Sequence, residues 1–196
     1  MSDPLFDADD DAATPLTPEE RAQLIPTYIT NRAQLNEAEQ RNITEADQWA
    51  FTRRRNVLDL EFLLSLHKRM FGKVWKWAGS IRVSERNIGI APLHIAVELR
   101  TLLGDAGYWI ENRTYPPDEI AVRLHHRLVF IHPFANGNGR HARLAADLLA
   151  VNLDRDRFSW GSANLIEPAA TRAAYIAALK AADNHDIMML LAFARS

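Results

Sequence analysis

Apolar residues recur at three- and four-residue intervals along most of the chain. The clearest run lies between Val57 and Phe71. Further runs lie at about 93–112, 116–131, 138–153, 167–182 and 185–195. This spacing places the apolar side chains on one face of an α-helix. The pattern therefore predicts a mainly helical protein, with core helices over 116–153.

The first 55 residues combine an acidic tail with polar helices. Residues 1–16 are acidic, contain two prolines and lack periodicity, which predicts a flexible tail. Thr17-Pro18-Glu19-Glu20 has the pattern of a helix start with a capping box. Two further helices are predicted, one over 31–42 and one that begins at Thr44. We therefore assign residues 17–55 to the N-terminal helices of a single domain that spans 17–196.

The helical pattern is interrupted between residues 75 and 92. Gly79, Gly89 and Pro92 punctuate this segment, which is too short and irregular for a helix. Its β-favouring residues are Ile81, Val83, Ile88 and Ile90. Such a segment suits a two-stranded hairpin with a turn near 84–87. The predicted fold class is therefore all-α with one β-hairpin.

Composition and charge limit the classes of protein to which this chain can belong. Apolar residues make up 47% of the 196 residues, enough to fill the core of one domain. The absence of cysteine excludes disulfides, thiolate metal sites and a cysteine nucleophile. A formal net charge of −2 gives no basic field for nucleic acid. The chain has neither a basic secretory start nor a membrane-length apolar run, so we expect a cytoplasmic protein.

The most informative stretch follows the apolar helix that ends near residue 131. It reads His-Pro-Phe-Ala-Asn-Gly-Asn-Gly-Arg-His-Ala-Arg from His132 to Arg143. Pro133 prevents the first helix from continuing, and apolar periodicity resumes after the glycines. A glycine-rich turn that enters a helix N-terminus presents N–H groups and the positive end of the helix dipole. The stretch therefore predicts an anion site, and Phe134 is expected to anchor its loop in the core.

Two arginines indicate which anion this site would bind. Arg140 and Arg143 are three residues apart and share a face of the first helical turn, where positive charge is unfavourable by itself. A di- or triphosphate would offset their charge and accept bidentate hydrogen bonds. His132 would lie at the other end of the loop, where it could act as a base near neutral pH.

A zinc site is the main alternative for the histidines. His125, His126, His132 and His141 are close in sequence, but no carboxylate accompanies them at metal-ligand spacing. We therefore expect His125 and His126 to be packed helix residues and expect no protein-ligated zinc.

The stretch from His132 to Arg143 resembles the signature of the Fic (filamentation induced by cAMP) family, His-x-Phe-x-acid-Gly-Asn-Gly-Arg-x-x-Arg. It matches that signature at every position but one. Residues 77–82, Trp-Ala-Gly-Ser-Ile-Arg, are similar to the element that opens the family's β-hairpin flap. Residues 67–72, His-Lys-Arg-Met-Phe-Gly, resemble the helix that leads into it. The overall pattern is most similar to the subgroup called mobile mystery protein B.

The resemblance implies transfer of AMP from ATP to a Ser, Thr or Tyr hydroxyl of a target protein. His132 would deprotonate that hydroxyl, and Arg140 and Arg143 would hold the β- and γ-phosphates. The anion hole would be formed by Gly137, Asn138 and Gly139, with the Asn138 side chain helping to place the phosphates. The flap would clamp the target by strand addition through Ile81, Arg82, Val83, Ile88, Gly89 and Ile90. The two glycines at 137 and 139 also distinguish the stretch from the related Doc-type kinases.

The one departure from the signature is Asn136. Adenylyl transferases of the family usually carry Asp or Glu there to hold Mg²⁺, and a neutral amide would hold the metal more weakly. Three interpretations follow: the metal is held mainly by the ATP phosphates, the enzyme is slow or uses another donor, or the chain does no chemistry. In the last case it would be a nucleotide-binding regulatory module, such as the partner of another protein in a two-gene system.

Many Fic proteins are also inhibited by a helix whose glutamate pairs with the second arginine of the signature, here Arg143. The nearest candidates in the polar helix are Glu37 and Glu39. Neither has the Ser or Thr four residues earlier, or the Gly or Asn directly after it, that the usual inhibitory sequence carries. An ordinary solvated helix is the alternative.

Overall fold

The computed structural model describes residues 16–162 and 168–196, and these ranges contain eight α-helices. They are α1 (Pro18–Arg21), α2 (Arg32–Ala50), α3 (Leu60–Phe71), α4 (Pro92–Glu111), α5 (Pro117–Ile131), α6 (Asn138–Asn152), α7 (Pro168–Asp183) and α8 (Met188–Arg195). The predicted acidic tail lies outside the described residues, apart from Leu16. Within them, no helix is long and apolar enough to cross a bilayer.

Helices α5 and α6 pack against each other at the centre of the fold. α4 and α8 pack on α5, α3 packs on α6, and α2 packs on α3. The buried face of α5 repeats at helical spacing through Ile120, Leu124, Leu128 and Ile131. Because α5 ends where the loop to α6 begins, this central pair of helices holds residues 132–137 at one end of the core.

The two helices predicted for residues 31–42 and from Thr44 onward are one continuous helix, α2. Asn31 caps its start, where its side chain accepts a hydrogen bond from the Gln34 N–H at 3.0 Å. The Thr44 hydroxyl donates to the Gln40 carbonyl at 3.0 Å, so it bonds back within the helix instead of capping a new one. α2 is fastened to the end of α3 because Asn42 Nδ2 donates to the Arg69 carbonyl at 2.7 Å.

The predicted hairpin does not form: between residues 77 and 91 the described backbone contains turns and bends and no strand. We call residues 80–91 the flap loop. The backbones of its two limbs bond to the chain around residue 132: Arg82 N–H donates to the Pro133 carbonyl at 2.9 Å, and Ile90 N–H donates to the Ile131 carbonyl at 3.5 Å. The Arg82 guanidinium donates to the Ile90 carbonyl at 2.6 Å, so a side chain joins the limbs in place of a ladder.

Candidate nucleotide site

His132 is the C-cap of α5 and has a left-handed backbone, with φ of 54° and ψ of 60°. Such a conformation is uncommon for a residue other than glycine and turns the chain sharply out of the helix. The imidazole is 5% exposed. Its Nδ1 lies 3.3 Å from the Val129 carbonyl, which can only accept, so Nδ1 donates and Nε2 carries the lone pair of the neutral ring.

The surroundings of His132 keep its ring neutral. Burial is the main cause that lowers the pKa of His132 from 6.5 to about 4; the Val129 bond opposes this shift, and the positive charges of Arg82 and Arg86 add to it. At neutral pH the imidazole is therefore in the form that accepts a proton.

The loop after His132 is closed by Asn138. Its Oδ1 accepts from the Phe134 N–H, and its Nδ2 donates to the Phe134 carbonyl, both at 2.9 Å. Phe134 itself is 1% exposed. The Asn138 side chain thus shapes the loop, and its contribution to an anion site falls to its backbone N–H.

His67 ties this loop to the base of the flap. Its Nε2 donates to the Asn136 carbonyl at 3.0 Å, and its Nδ1 accepts from the Gly79 N–H at 2.9 Å. The ring stacks on Phe134 with centroids 3.7 Å apart. Burial lowers the pKa of His67 well below its ordinary value, which preserves the neutral tautomer that makes both bonds. This role was not predicted from the sequence, although a histidine on the apolar face of α3 was the available signal.

Gly137 opens the anion cradle at the start of α6. It is the N-cap with a φ of 79°, and no side chain caps the helix. The first N–H groups of a helix have no intrahelical acceptor, so those of Asn138, Gly139 and Arg140 face the region beyond the helix end. This is the arrangement that binds phosphate oxygens.

Gly137→Ala is expected to destabilise the protein and deform this cradle. A Cβ there would lie 2.5 Å from the Phe71 ring, and the positive φ adds about 1–3 kcal/mol of backbone strain. Gly104→Ala is the matched control, because a Cβ there meets nothing within 4 Å in the middle of a helix. Urea unfolding should show a loss for the first variant and no loss for the second. Equal stability of the two would refute the steric role of Gly137.

The two predicted phosphate-binding arginines contact different neighbouring helices, α2 and α3 for Arg140 and α7 for Arg143. The Arg140 guanidinium lies over the Phe71 ring at 4.8 Å and donates to Glu39 Oε2 at 2.7 Å. Arg143 lies over the Tyr175 ring at 5.5 Å. Both guanidinium groups are therefore held by neighbouring side chains near the first turn of α6.

Of the two glutamates considered as inhibitors, Glu39 reaches the site. Its Oε1 accepts from Trp75 Nε1 and its Oε2 from Arg140, each at 2.7 Å. Glu37 instead pairs with Arg41 one turn along the exposed face of α2. The glutamate contact is thus made with the first arginine of the signature, whereas the resemblance implied Arg143.

Asn136 does not present a built magnesium site. Its Oδ1 accepts from the Gly137 N–H at 2.6 Å and lies 3.4 Å from an Arg140 nitrogen. A hard dication prefers carboxylate oxygens and is repelled by a guanidinium. The side chain therefore fits the loop better than it fits a metal.

The flap loop lies directly against the candidate base. Arg82 Nε donates to the His132 carbonyl at 2.6 Å, and a Cβ on Gly89 would collide with the His132 side chain. Ile81 and Ile90 pack partly on the core. Val83 and Ile88 point outward, Val83 with 92% of its surface exposed. The loop therefore offers apolar side chains to a partner beside His132.

The other three histidines considered for a zinc site have partners within the fold. His125 Nε2 lies 3.0 Å from the Tyr175 hydroxyl, His126 Nε2 lies 2.8 Å from Asp183, and His141 Nε2 donates to the Leu63 carbonyl at 3.0 Å. Among the described residues, no three His, Cys, Asp or Glu side chains are grouped to hold a metal.

Buried histidines make the protein sensitive to acid. Burial lowers the pKa of His125 to about 3 and that of His141 to about 4, from 6.5, as it does for His132. Because these folded-state values lie below the unfolded one, the unfolded chain binds more protons, and stability falls as pH drops from about 6.5 towards 4. Each group contributes up to about 1.4 kcal/mol per pH unit. Urea unfolding at several pH values measures this slope.

The slope of the unfolding free energy against pH reports how many more protons the unfolded chain binds than the folded one. His141→Gln should lower that difference by about one proton. His94→Gln, at an exposed position of α4, should leave it unchanged. An identical slope in both variants would show that His141 is not a source of the acid sensitivity.

Known proteins are similar to this chain in sequence and in fold. A model of the Fic/DOC family matches residues 57–150. Protein adenylyltransferase fic-1 of Caenorhabditis elegans is 28% identical over 144 residues, which cover 69% of this chain and 26% of that protein. Protein adenylyltransferase Fic of Drosophila mojavensis is 30% identical over 142 residues, with the same two coverages. The chain thus spans about a quarter of the length of the curated relatives it matches.

Solved structures agree on the fold. The BepC protein of Bartonella tribocorum, with bound AMPPNP, superposes with a TM-score of 0.70 at 16% identity, covering 91% of this chain and 97% of that one. A structure of C. elegans Fic-1 gives 0.63 at 23% identity, covering 89% of this chain and 50% of that one. Residues 57–150, which hold both the flap loop and the loop from His132 to Arg143, therefore form a domain of the Fic/DOC family.

Proposed function

We propose that this protein transfers AMP from ATP to a hydroxyl side chain of a target protein. The observation that carries the proposal is the neutral, buried imidazole of His132 beside the helix start at Gly137, with Arg140 and Arg143 held near that start. A base and an anion cradle so close together are the two parts that nucleotidyl transfer requires.

In the proposed reaction, Nε2 of His132 takes the proton of the target hydroxyl as its oxygen attacks the α-phosphorus of ATP. The new phosphoester bond forms while the bond to pyrophosphate breaks, and pyrophosphate leaves with the electron pair. The N–H groups of Asn138 and Gly139 would hold phosphate oxygens. Arg140 and Arg143 would offset the charge that develops on the leaving pyrophosphate.

The matched relatives support this function. The curated relatives from C. elegans and D. mojavensis are named protein adenylyltransferases. Two structural neighbours from Bartonella are described with bound AMPPNP and with bound ADP. Since the chain spans only part of those relatives, its substrates and partners are our proposals.

The target would be presented by the flap loop. Its extended limbs could take up a segment of the target by strand addition, which would complete the β pairing that the flap lacks in this structure. The more specific likeness to the mobile mystery protein B subgroup stays a hypothesis from sequence, and so does a regulatory partner protein.

The function is tested with α-labelled ATP and Mg²⁺ on the full chain, alone and with candidate protein substrates. Label on this protein or on a substrate, with release of pyrophosphate, is the expected result. ATP bound without any transfer of label would favour the second candidate, a nucleotide-binding regulatory module. The geometry of Asn136, which offers no carboxylate for a metal, is the observation that favours this second candidate.

Asn136→Asp is expected to raise the rate of transfer and its dependence on Mg²⁺. A carboxylate adds the charge that a hard dication prefers, and an Asp can still accept the Gly137 N–H. Rates are measured across a magnesium titration for both forms. If neither the rate nor the magnesium dependence changes, position 136 is not a metal ligand in this protein.

A further inference from the structure

The chain's own N-terminal segment lies across the base of the flap loop. We call residues 16–25 the strap. It runs beside residues 74–76, because Ile25 N–H donates to the Val74 carbonyl at 2.8 Å and Lys76 N–H to that of Gln23 at 3.1 Å. Leu24 and Trp75 form an antiparallel β-bridge at the same place. The short helix α1 of the strap is thereby held over the flap loop.

One carboxylate of the strap engages the flap loop. Glu20 Oε1 accepts from the Ser84 hydroxyl at 3.1 Å and from the Arg86 guanidinium, while its Oε2 accepts from the Thr17 N–H at 2.9 Å. The side chains of Arg86 and Glu20 are only 3% and 13% exposed. Burial would raise the pKa of Glu20, but the bonds from Arg86, Thr17 and Ser84 lower it, so the pair is ionic at neutral pH.

Arg86, the cation that pairs with Glu20, lies near the candidate base His132. Arg82, which lies in the same loop and repels Arg86, donates directly to the His132 carbonyl. The charge of Arg86 also reaches the His132 ring. Two guanidinium groups so close together are stabilised by nearby carboxylates: Glu85 and Glu20 both act on Arg82, and Glu20 pairs directly with Arg86. If the strap moved away, Ser84 and Arg86 would lose this carboxylate acceptor beside the exposed Val83.

We propose that Ser84 and Arg86 form a subsite for an acidic side chain of the target segment, and that Glu20 occupies this subsite until the target displaces it. The inference rests on the proposed function, because it assumes that the flap loop receives the target. Charge complementarity selects the occupant: the hydroxyl and guanidinium donors around Glu20 fit an Asp or Glu, and they would reject a Lys or Arg. A preferred target then carries an acid near its modified hydroxyl.

The strap contact is tested first, without any activity. Trypsin cleavage after Arg86 and amide exchange over residues 81–91 are measured on the full chain for Glu20→Gln and for Glu19→Gln. Glu19 is the matched control, since it is the adjacent glutamate and its side chain is exposed. Both rates should rise at least tenfold in the first variant only. Unchanged rates in Glu20→Gln would overturn the occupancy of the subsite by Glu20.

The preference for an acidic target is tested with a set of fluorescent serine peptides. The peptides share one sequence with an apolar residue beside the serine and differ in a single Glu, Gln or Lys at each flanking position. Binding to the Glu20→Gln protein is measured by anisotropy, and transfer of label from ATP is measured in parallel. We expect at least tenfold tighter binding for Glu at one or two positions, loss of the preference in Arg86→Gln, and preference for Lys in Arg86→Glu.

Equal binding of Glu and Gln peptides, or no binding of any peptide, would overturn the subsite. The binding assay does not require catalysis. A protein that prefers Glu peptides but transfers no label would therefore refute the proposed function and keep the subsite, whereas label transferred without regard to charge would do the reverse.

Discussion

His132→Ala is expected to reduce transfer of AMP by about 10²–10⁴-fold, the usual contribution of a general base. The buried ring is neutral, and the Nδ1 bond to Val129 directs its proton-accepting Nε2 away from the helix. Removing it leaves the anion cradle of Gly137 and Arg143 in place. Transfer of label should therefore fall, while the Kd for ATP, measured by calorimetry, changes by no more than about twofold. A twofold change in Kd corresponds to well under 1 kcal/mol of binding free energy.

Two further variants make this result interpretable. His132→Asn keeps a residue that tolerates the left-handed backbone better than Ala, so it separates loss of the base from strain in the loop. His94→Ala removes an exposed histidine on α4 and should leave transfer unchanged. Label that survives in both His132 variants would show that another group takes the proton.

Glu39→Gln is expected to tighten ATP binding and raise the rate at low ATP. Arg140 must leave Glu39 to hold a phosphate, and a hydrogen bond to a charged group is worth about 1.5–3 kcal/mol, or roughly 10- to 150-fold. Because the Arg140 side chain is 36% exposed, we expect the low end, about a tenfold fall in KM for ATP. Glutamine keeps an oxygen for the Trp75 indole, so α2 should stay in place.

Glu37→Gln is the matched control, since Glu37 is on the same helix and pairs with Arg41 on its exposed face. Glu39→Gly removes the side chain altogether and should raise auto-modification as well, at some loss of stability. A higher KM in Glu39→Gln would reverse the interpretation, because it would mean that Glu39 holds Arg140 in its working position.

The helical fold could be predicted because its signal is local. Most helices begin and end within a few residues of the predicted bounds, since apolar spacing and prolines such as Pro92 and Pro117 mark them. The split at Thr44 was wrong because packing of α2 on α3 overrides a cap-like pattern. The hairpin was wrong because the carbonyls of Ile131 and Pro133 take the flap N–H groups that a second strand would have accepted.

The candidate site, too, could be predicted only where its signal is local in the sequence. The stretch from His132 to Arg143 is contiguous, so its glycines and arginines could be recognised from order alone. The contacts of Glu39 with Arg140 and of His67 with Asn136 join residues far apart in the chain, and no local pattern indicates them. The Asn138 side chain also closes the loop, a use that the sequence does not distinguish from the predicted placement of phosphates.

The bonds of His67 have a thermodynamic consequence. One ring joins the carbonyl of Asn136, in the loop that would hold the nucleotide, to the N–H of Gly79, at the hinge of the loop that would hold the target. A ligand that orders one loop therefore reduces the conformational entropy that the other loop still has to lose when its own ligand binds. Such coupling is reciprocal. ATP should raise the affinity for the target by the same factor by which the target raises the affinity for ATP, and the two should bind cooperatively.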